Sequence, residues 1–185
     1  IKKPFLCNGA NLAYKKELFK TLNGFQGNTE IASGDDVFLL EKATRNKAMK
    51  VAYLKCEQAV VLSSALTSRK DLIEQRVRWA AKSSAYKNLF GKFAGFFILL
   101  QNVLLVCCLA LLGIGILTPK GLLYIFIIKF SIDLLLIQKA ANFFDQKHHL
   151  KHYLLASLYY PFFSVYVAFI AVFKGYKWKG RSYRQ

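Results

Sequence analysis

Gln75, Arg78 and Trp79 stand within Gln75-Arg76-Val77-Arg78-Trp79, just ahead of a long apolar run. Residues three and four apart are neighbours on a helix, so these three share one face. That face offers an amide, a planar cation and a large aromatic plate. A guanidinium fork matches two phosphate oxygens at once. An indole face suits a sugar ring or another flat apolar surface. The same residues also fit an interfacial helix with a Trp anchor and a snorkelling Arg. A second constellation is Ser33-Gly34-Asp35-Asp36. One carboxylate there can take a proton from a hydroxyl as a general base. Asp35 also suits a helix N-cap, and Asp36 a surface charge favoured by the helix dipole. A third is Cys7-Asn8-Gly9-Ala10-Asn11. It is either a backbone that a ligand can approach closely or a turn entering a strand.

The elements that must hold these residues follow from pattern. Residues 1–14 read as a strand or loop, and 15–23 as a short helix stopped by Gly24. Asp35 opens a helix running to about Lys47. Val51–Leu54 and Ala59–Leu62 have the composition of short strands. Ser68 and Asp71 form an S-x-x-D capping box. The helix it starts carries the Gln75/Arg78/Trp79 face to about Phe90 and is expected to lie at a membrane interface over 71–92.

A membrane region follows at 93–173. Phe93–Leu117 holds 25 residues without a charge, enough to cross a hydrocarbon core of ~30 Å. Thr118–Gly121 reads as a turn. Leu122–Gln138 is a second span, interrupted by Lys129 and Asp133. Tyr153–Phe173 is a third, and Pro161 allows it to be broken, re-entrant or interfacial. Residues 174–185 form a basic tail. Lys129 and Asp133, at i and i+4, are either a self-neutralising pair or an intramembrane site. His148, His149 and His152 lie in a basic loop without the Cys or carboxylate companions of a metal site.

Composition bounds the function. The chain has 185 residues, is 55% hydrophobic and carries a net charge of +17. Residues 1–92 hold 17 Lys/Arg against 8 Asp/Glu, and 93–185 hold 10 against 2. The apolar second half argues against nucleic acid as the partner of this charge. Phospholipid headgroups and a nucleotide diphosphate suit it better, and much of the excess is positive-inside topology signal. The tail, with five Lys/Arg, is expected on the cytoplasmic side, although three spans after a cytoplasmic first half would place it outside. The four cysteines show no disulfide or metal spacing and are expected to be reduced.

Three motifs in order now carry a resemblance. PFLCNGANLAYKKELFKTLNGF, then SGDDVFLLEKA, then QRVRW, then membrane spans, is similar to the C-terminal half of a membrane-bound family-2 glycosyltransferase of the Q-x-x-R-W subgroup. It covers residues 4–80 by motif and the rest by architecture. Trp178-Lys179-Gly180-Arg181 adds a weaker likeness to the ending of ceramide- and carotenoid-type glucosyltransferases. The fold implied is α/β, the C-terminal part of a GT-A nucleotide-sugar domain over 1–70, followed by an α-helical transmembrane region. The activity implied is inverting transfer of a sugar from a nucleotide-sugar donor to a lipid, lipid-linked or polysaccharide acceptor. Asp36 matches the general base and Asp35 its supporting acid. Gln75 and Arg78 match donor-diphosphate residues. Trp79, Cys7, Asn8 and Gly9 match the acceptor side, where Asn8 departs from the usual F-x-C-G-S. A divalent metal, Mg or Mn, is implied for the full enzyme. Its D-x-D ligands do not occur in these 185 residues, so the chain is expected to be a piece of a longer enzyme, inactive alone. The expected setting is a bacterial inner membrane with the catalytic part cytoplasmic. The competing class is a non-enzymatic membrane anchor or scaffold.

Overall fold

The structure, a computed structural model, describes residues 4–27, 34–46, 49–83, 85–174, 176–178 and 181–183. Ser33, Lys47, Lys179 and Gly180 of the motifs and boundaries above lie outside the described residues. The described elements are α1 (Lys16–Thr21), α2 (Asp35–Arg45), α3 (Arg69–Ser83), α4 (Leu89–Gly113), α5 (Pro119–Phe143), α6 (Tyr153–Phe173), β1 (Tyr176–Trp178) and β2 (Arg181–Tyr183). They divide into two units, one of residues 1–95 and 170–185, the other of 96–169.

The expected α/β fold does not form. Among the described residues the only strands are β1 and β2, an antiparallel hairpin in the tail with Tyr176 opposite Tyr183. Val51–Leu54 and Ala59–Leu62 are extended but unpaired, with a short 3-10 turn at Glu57–Ala59. Tyr53 and Leu62 are 74% and 79% exposed. A β-rich run becomes a strand only where a neighbour satisfies its backbone and covers one face. Neither condition is met here.

In the first unit α2 is the buried element. Val37, Phe38, Leu39, Leu40 and Ala43 are all buried, so most of its circumference is covered rather than one stripe. Gly34 caps its N-terminus at φ 103°, a left-handed conformation that glycine adopts without steric cost. Lys42 reaches back from α2 and donates to the Gly24 and Gln26 carbonyls at 2.6 and 2.7 Å. α3 starts as its sequence signals: Ser68 Oγ accepts from the Asp71 N–H at 3.4 Å. It buries Val77 and Ala81, one turn apart, and lies alongside β1. It stops at Ser83, short of the expected Phe90. Residues 85–88 are non-helical because Glu41, only 5% exposed, claims their backbone. Its carboxylate accepts from the Lys87 N–H at 2.9 and 3.1 Å and from the Asn88 N–H at 2.9 Å. Asn88 then accepts from the Gly91 N–H at 3.0 Å, capping the start of α4.

The membrane expectation is met in its coarse form: three helices are long and apolar enough to cross a membrane. Boundaries differ from those read in the sequence. Pro119 does not interrupt; it is the first residue of α5, with Thr118 Oγ1 accepting from the Gly121 N–H at 3.2 Å. α6 runs unbroken through Pro161. In the second unit, Asn102 and Pro161 are fully buried. Lys129 and Asp133 form the i, i+4 ion pair at 2.5 Å, and Tyr153 donates to the Phe130 carbonyl at 2.9 Å. The helices there enclose an apolar cavity of about 430 Å³, lined among others by Leu105, Phe126, Leu158 and Phe162.

Candidate functional site

The site grows from the first turn of α2. With Gly34 as the N-cap, Asp35 and Asp36 occupy the first turn rather than the cap itself. Asp35 is exposed and Asp36 half-buried. One Asp36 oxygen, Oδ2, accepts from the Gly9 N–H at 2.8 Å. The other, Oδ1, accepts from the Val37 N–H at 2.9 Å. The small-residue segment thus presents its backbone to the acid. The contact is close because residue 9 has no side chain: a Cβ there would sit 3.7 Å from Oδ2. Asn8 sets up this donor. Its Oδ1 accepts from the Ala10 N–H at 3.0 Å and caps a 3-10 turn at Gly9–Asn11. Asn11 Nδ2 donates to the Ala59 carbonyl at 2.6 Å and ties the segment to the extended region.

Cys7 packs half-buried against the cluster of Val37, Phe38 and Tyr86. The Phe38 and Tyr86 rings meet edge to face, 5.9 Å between centroids. Burial, then the negative Asp36, push the Cys7 thiol up to about 11, against the opposing pull of Lys82. Burial, then Asp36, Glu41 and Cys7, push the Tyr86 phenol up to about 12. Both groups are neutral near pH 7, so Asp36 faces polar but uncharged neighbours on that side.

The cationic side comes from α3. The Lys82 stem lies over Gly34, where a Cβ would meet its Cδ at 3.5 Å and the Phe38 ring at 3.3 Å. Burial lowers the Lys82 ammonium from its ordinary value. Asp36 and Asp35 oppose that shift, while Arg78 adds to it. Arg78 and Lys82 are one turn apart, on the row beside the buried Val77–Ala81 stripe.

The structure therefore brings together Cys7, Asn8, Gly9, Asp35, Asp36 and Arg78 of the sequence-derived set. It does not bring in the other two. Gln75 is half-buried and makes no hydrogen bond among the described residues. Trp79 is exposed, with the Arg76 guanidinium over its ring at 4.6 Å. Three contributors went unread in the sequence. Lys82 had a signal, since it follows Arg78 by four residues. Tyr86 and Glu41 had none, because their roles depend on a turn 46 residues further on from Glu41.

These donors do not suit a divalent ion. Both Asp36 oxygens already accept from backbone N–H groups, and a cation stands beside them. Among the described residues no group of three or more His, Cys, Asp or Glu gathers. The His148 and His149 rings stack at 4.1 Å without acidic or thiol companions. No protein-family model, curated protein or solved structure matches the chain.

Proposed function

We propose that this chain carries the acceptor-activating side of an inverting glycosyltransferase of the Q-x-x-R-W kind. It would move a sugar from a nucleotide-sugar donor to a hydroxyl of a lipid, lipid-linked or polysaccharide acceptor at the cytoplasmic face of a membrane, the bacterial inner membrane being the setting the resemblance implies. The observation that carries this is the convergence of three separate motifs on Asp36. The Gly9 backbone, the start of α2 and the Arg78–Lys82 row of α3 come from three parts of the chain and meet at one carboxylate.

The chemistry follows from that arrangement. Asp36 is held by two N–H donors, which fix the plane of the carboxylate and leave other lone pairs to accept a proton. It removes the acceptor's hydroxyl proton as that oxygen bonds to the anomeric carbon. The bond from that carbon to the diphosphate oxygen breaks with inversion, and the nucleoside diphosphate leaves with the bonding electrons. A carboxylate is a weak base at neutral pH, so its help grows as the new bond forms. Arg78 faces the negative charge that develops on the departing diphosphate. Gln75 is assigned to the same diphosphate, and Trp79, Cys7, Asn8 and Gly9 to the acceptor. Trp79 must release Arg76 to offer both ring faces. The apolar cavity among the membrane helices favours an acceptor with a hydrocarbon chain, since a cavity of this size, walled by carbon, suits such a chain. A divalent metal, if the complete enzyme uses one, would be held by residues other than the described ones.

The test uses membranes expressing the complete gene product, supplied with a panel of radiolabelled nucleotide-sugars. Transfer of label into lipid or polymer is expected. Asp36→Asn should lower it by about 10²-fold or more, the usual contribution of a general base. Near-normal transfer by Asp36→Asn overturns the base assignment. No consumption of any nucleotide-sugar by the wild type overturns the transferase reading and leaves the membrane anchor or scaffold.

A further inference from the structure

Lys82 is the cation that the motifs do not explain. Its stem is packed against Gly34 and its ammonium is half-buried beside Asp36. Among the described residues its ammonium makes no hydrogen bond and no ion pair shorter than 4.0 Å. The nearest carboxylate has spent an oxygen on each of two backbone N–H groups. A second cation, Arg78, lies one turn away on the same helical row. A half-buried ammonium with three donors and no acceptor is costly unless an anion completes the site. Two adjacent cations on one row repel each other until a polyanion bridges them.

We propose that Lys82 is a phosphate-binding residue that closes, with Arg78, around a diphosphate. The division of labour follows from their chemistry. The Arg78 fork takes two oxygens of one phosphoryl group, and the Lys82 ammonium is a point charge that meets the other. Asp36 borders this pocket, so a bound diphosphate faces the base across the space where an acceptor hydroxyl must sit. The placement of Lys82 also sets a polarity: its stem fills the floor over Gly34, and only its charged end is free to reach the ligand. That the diphosphate belongs to a nucleotide-sugar rests on the transferase reading. The anion site itself does not.

The same chemistry is offered by a soluble diphosphate and by phospholipid headgroups. The experiment separates them. The full chain is placed in nanodiscs of uncharged phosphatidylcholine and titrated calorimetrically with inorganic pyrophosphate. Binding is expected for the wild type. Lys82→Gln, which keeps most of the stem, should weaken it by about tenfold or more, the loss of one charge-assisted hydrogen bond. Lys82→Arg should stay within about threefold. Far-ultraviolet circular dichroism on each variant checks that α3 remains formed. Equal binding by Lys82→Gln and wild type overturns the proposal, as does absence of pyrophosphate binding by the wild type. A second arm uses nanodiscs containing anionic phosphatidylglycerol. Unchanged pyrophosphate affinity there supports a soluble-diphosphate site. Loss of pyrophosphate binding that is equally strong in wild type and Lys82→Arg assigns the cations to headgroups and overturns it. Lys82-dependent binding combined with no sugar transfer by the complete gene product keeps the anion site and removes only the transferase reading.

Discussion

At the scale of single residues, the site is a contrast between charge that is held and charge that is suppressed. Asp36 is kept in place by two backbone donors. Cys7 and Tyr86, on its other side, are pushed up by burial and by Asp36 itself. The consequence for Cys7 is measurable. With Cys56, Cys107 and Cys108 replaced by Ser, Cys7 should react slowly with iodoacetamide at pH 8, where an ordinary thiol is already partly ionised. Its rate should rise through about pH 11. Asp36→Asn should shift that profile to lower pH, because it removes the second cause of the shift. The linkage has a definite sign. The folded thiol holds its proton more tightly than the unfolded one, so its contribution is fully present below the ordinary value of 9.0 and is lost as pH rises through about 11. An alkylation midpoint near 9 would show that Cys7 is neither buried nor next to a carboxylate.

At the scale of elements, the order of α2, α3 and α4 is fixed by one glycine and one buried acid. Gly34 has a φ of 103° and the Phe38 ring 3.3 Å from where a Cβ would stand. Gly34→Ala should therefore cost about 1–3 kcal/mol through backbone strain alone. Glu41→Ala should cost about 2–3 kcal/mol, because it strands the Lys87 and Asn88 N–H groups in a half-buried turn. Gly9→Ala, with ordinary contact distances and no left-handed φ, should be mild. Thermal unfolding in detergent ranks the three; a Gly9→Ala loss larger than that of Glu41→Ala would reverse the assignment. These elements also mark what was legible in the sequence. The apolar runs, the Ser68 cap and the carboxylates opening α2 are local patterns, and each formed as read. The strands at 51–54 and 59–62 were misread because β propensity speaks only if a partner strand exists. The end of α3 was misread because the Glu41 carboxylate, far away in the chain, takes the backbone that would have continued it. The convergence of Gly9, Asp36 and Lys82 is likewise tertiary: only the Arg78–Lys82 spacing hinted at it.

At the scale of the whole molecule, two observations bear on topology, and parity decides between the arrangements they allow. Three helices are long and apolar enough to cross a bilayer. Yet β1, after the last of them, lies alongside α3, before the first, within one unit. Segments packed together must lie on the same side of a membrane, so the number of complete crossings between them must be even. Three full crossings are incompatible with that contact; two are compatible, with the remaining helix lying in the interface or turning back. The positive charge agrees, since both the polar half and the tail are rich in Lys and Arg and both favour the cytoplasmic side. α5 is the helix whose middle carries charge, the Lys129–Asp133 pair, and charge in mid-helix makes full insertion costly. The sidedness is checked with single cysteines at Lys55→Cys and Ser182→Cys in a chain otherwise free of cysteine. In sealed inverted membrane vesicles, an impermeant maleimide should label both from outside. Labelling of Lys55→Cys alone would mean that all three helices cross, and that β1 and α3 do not meet in the membrane-embedded protein.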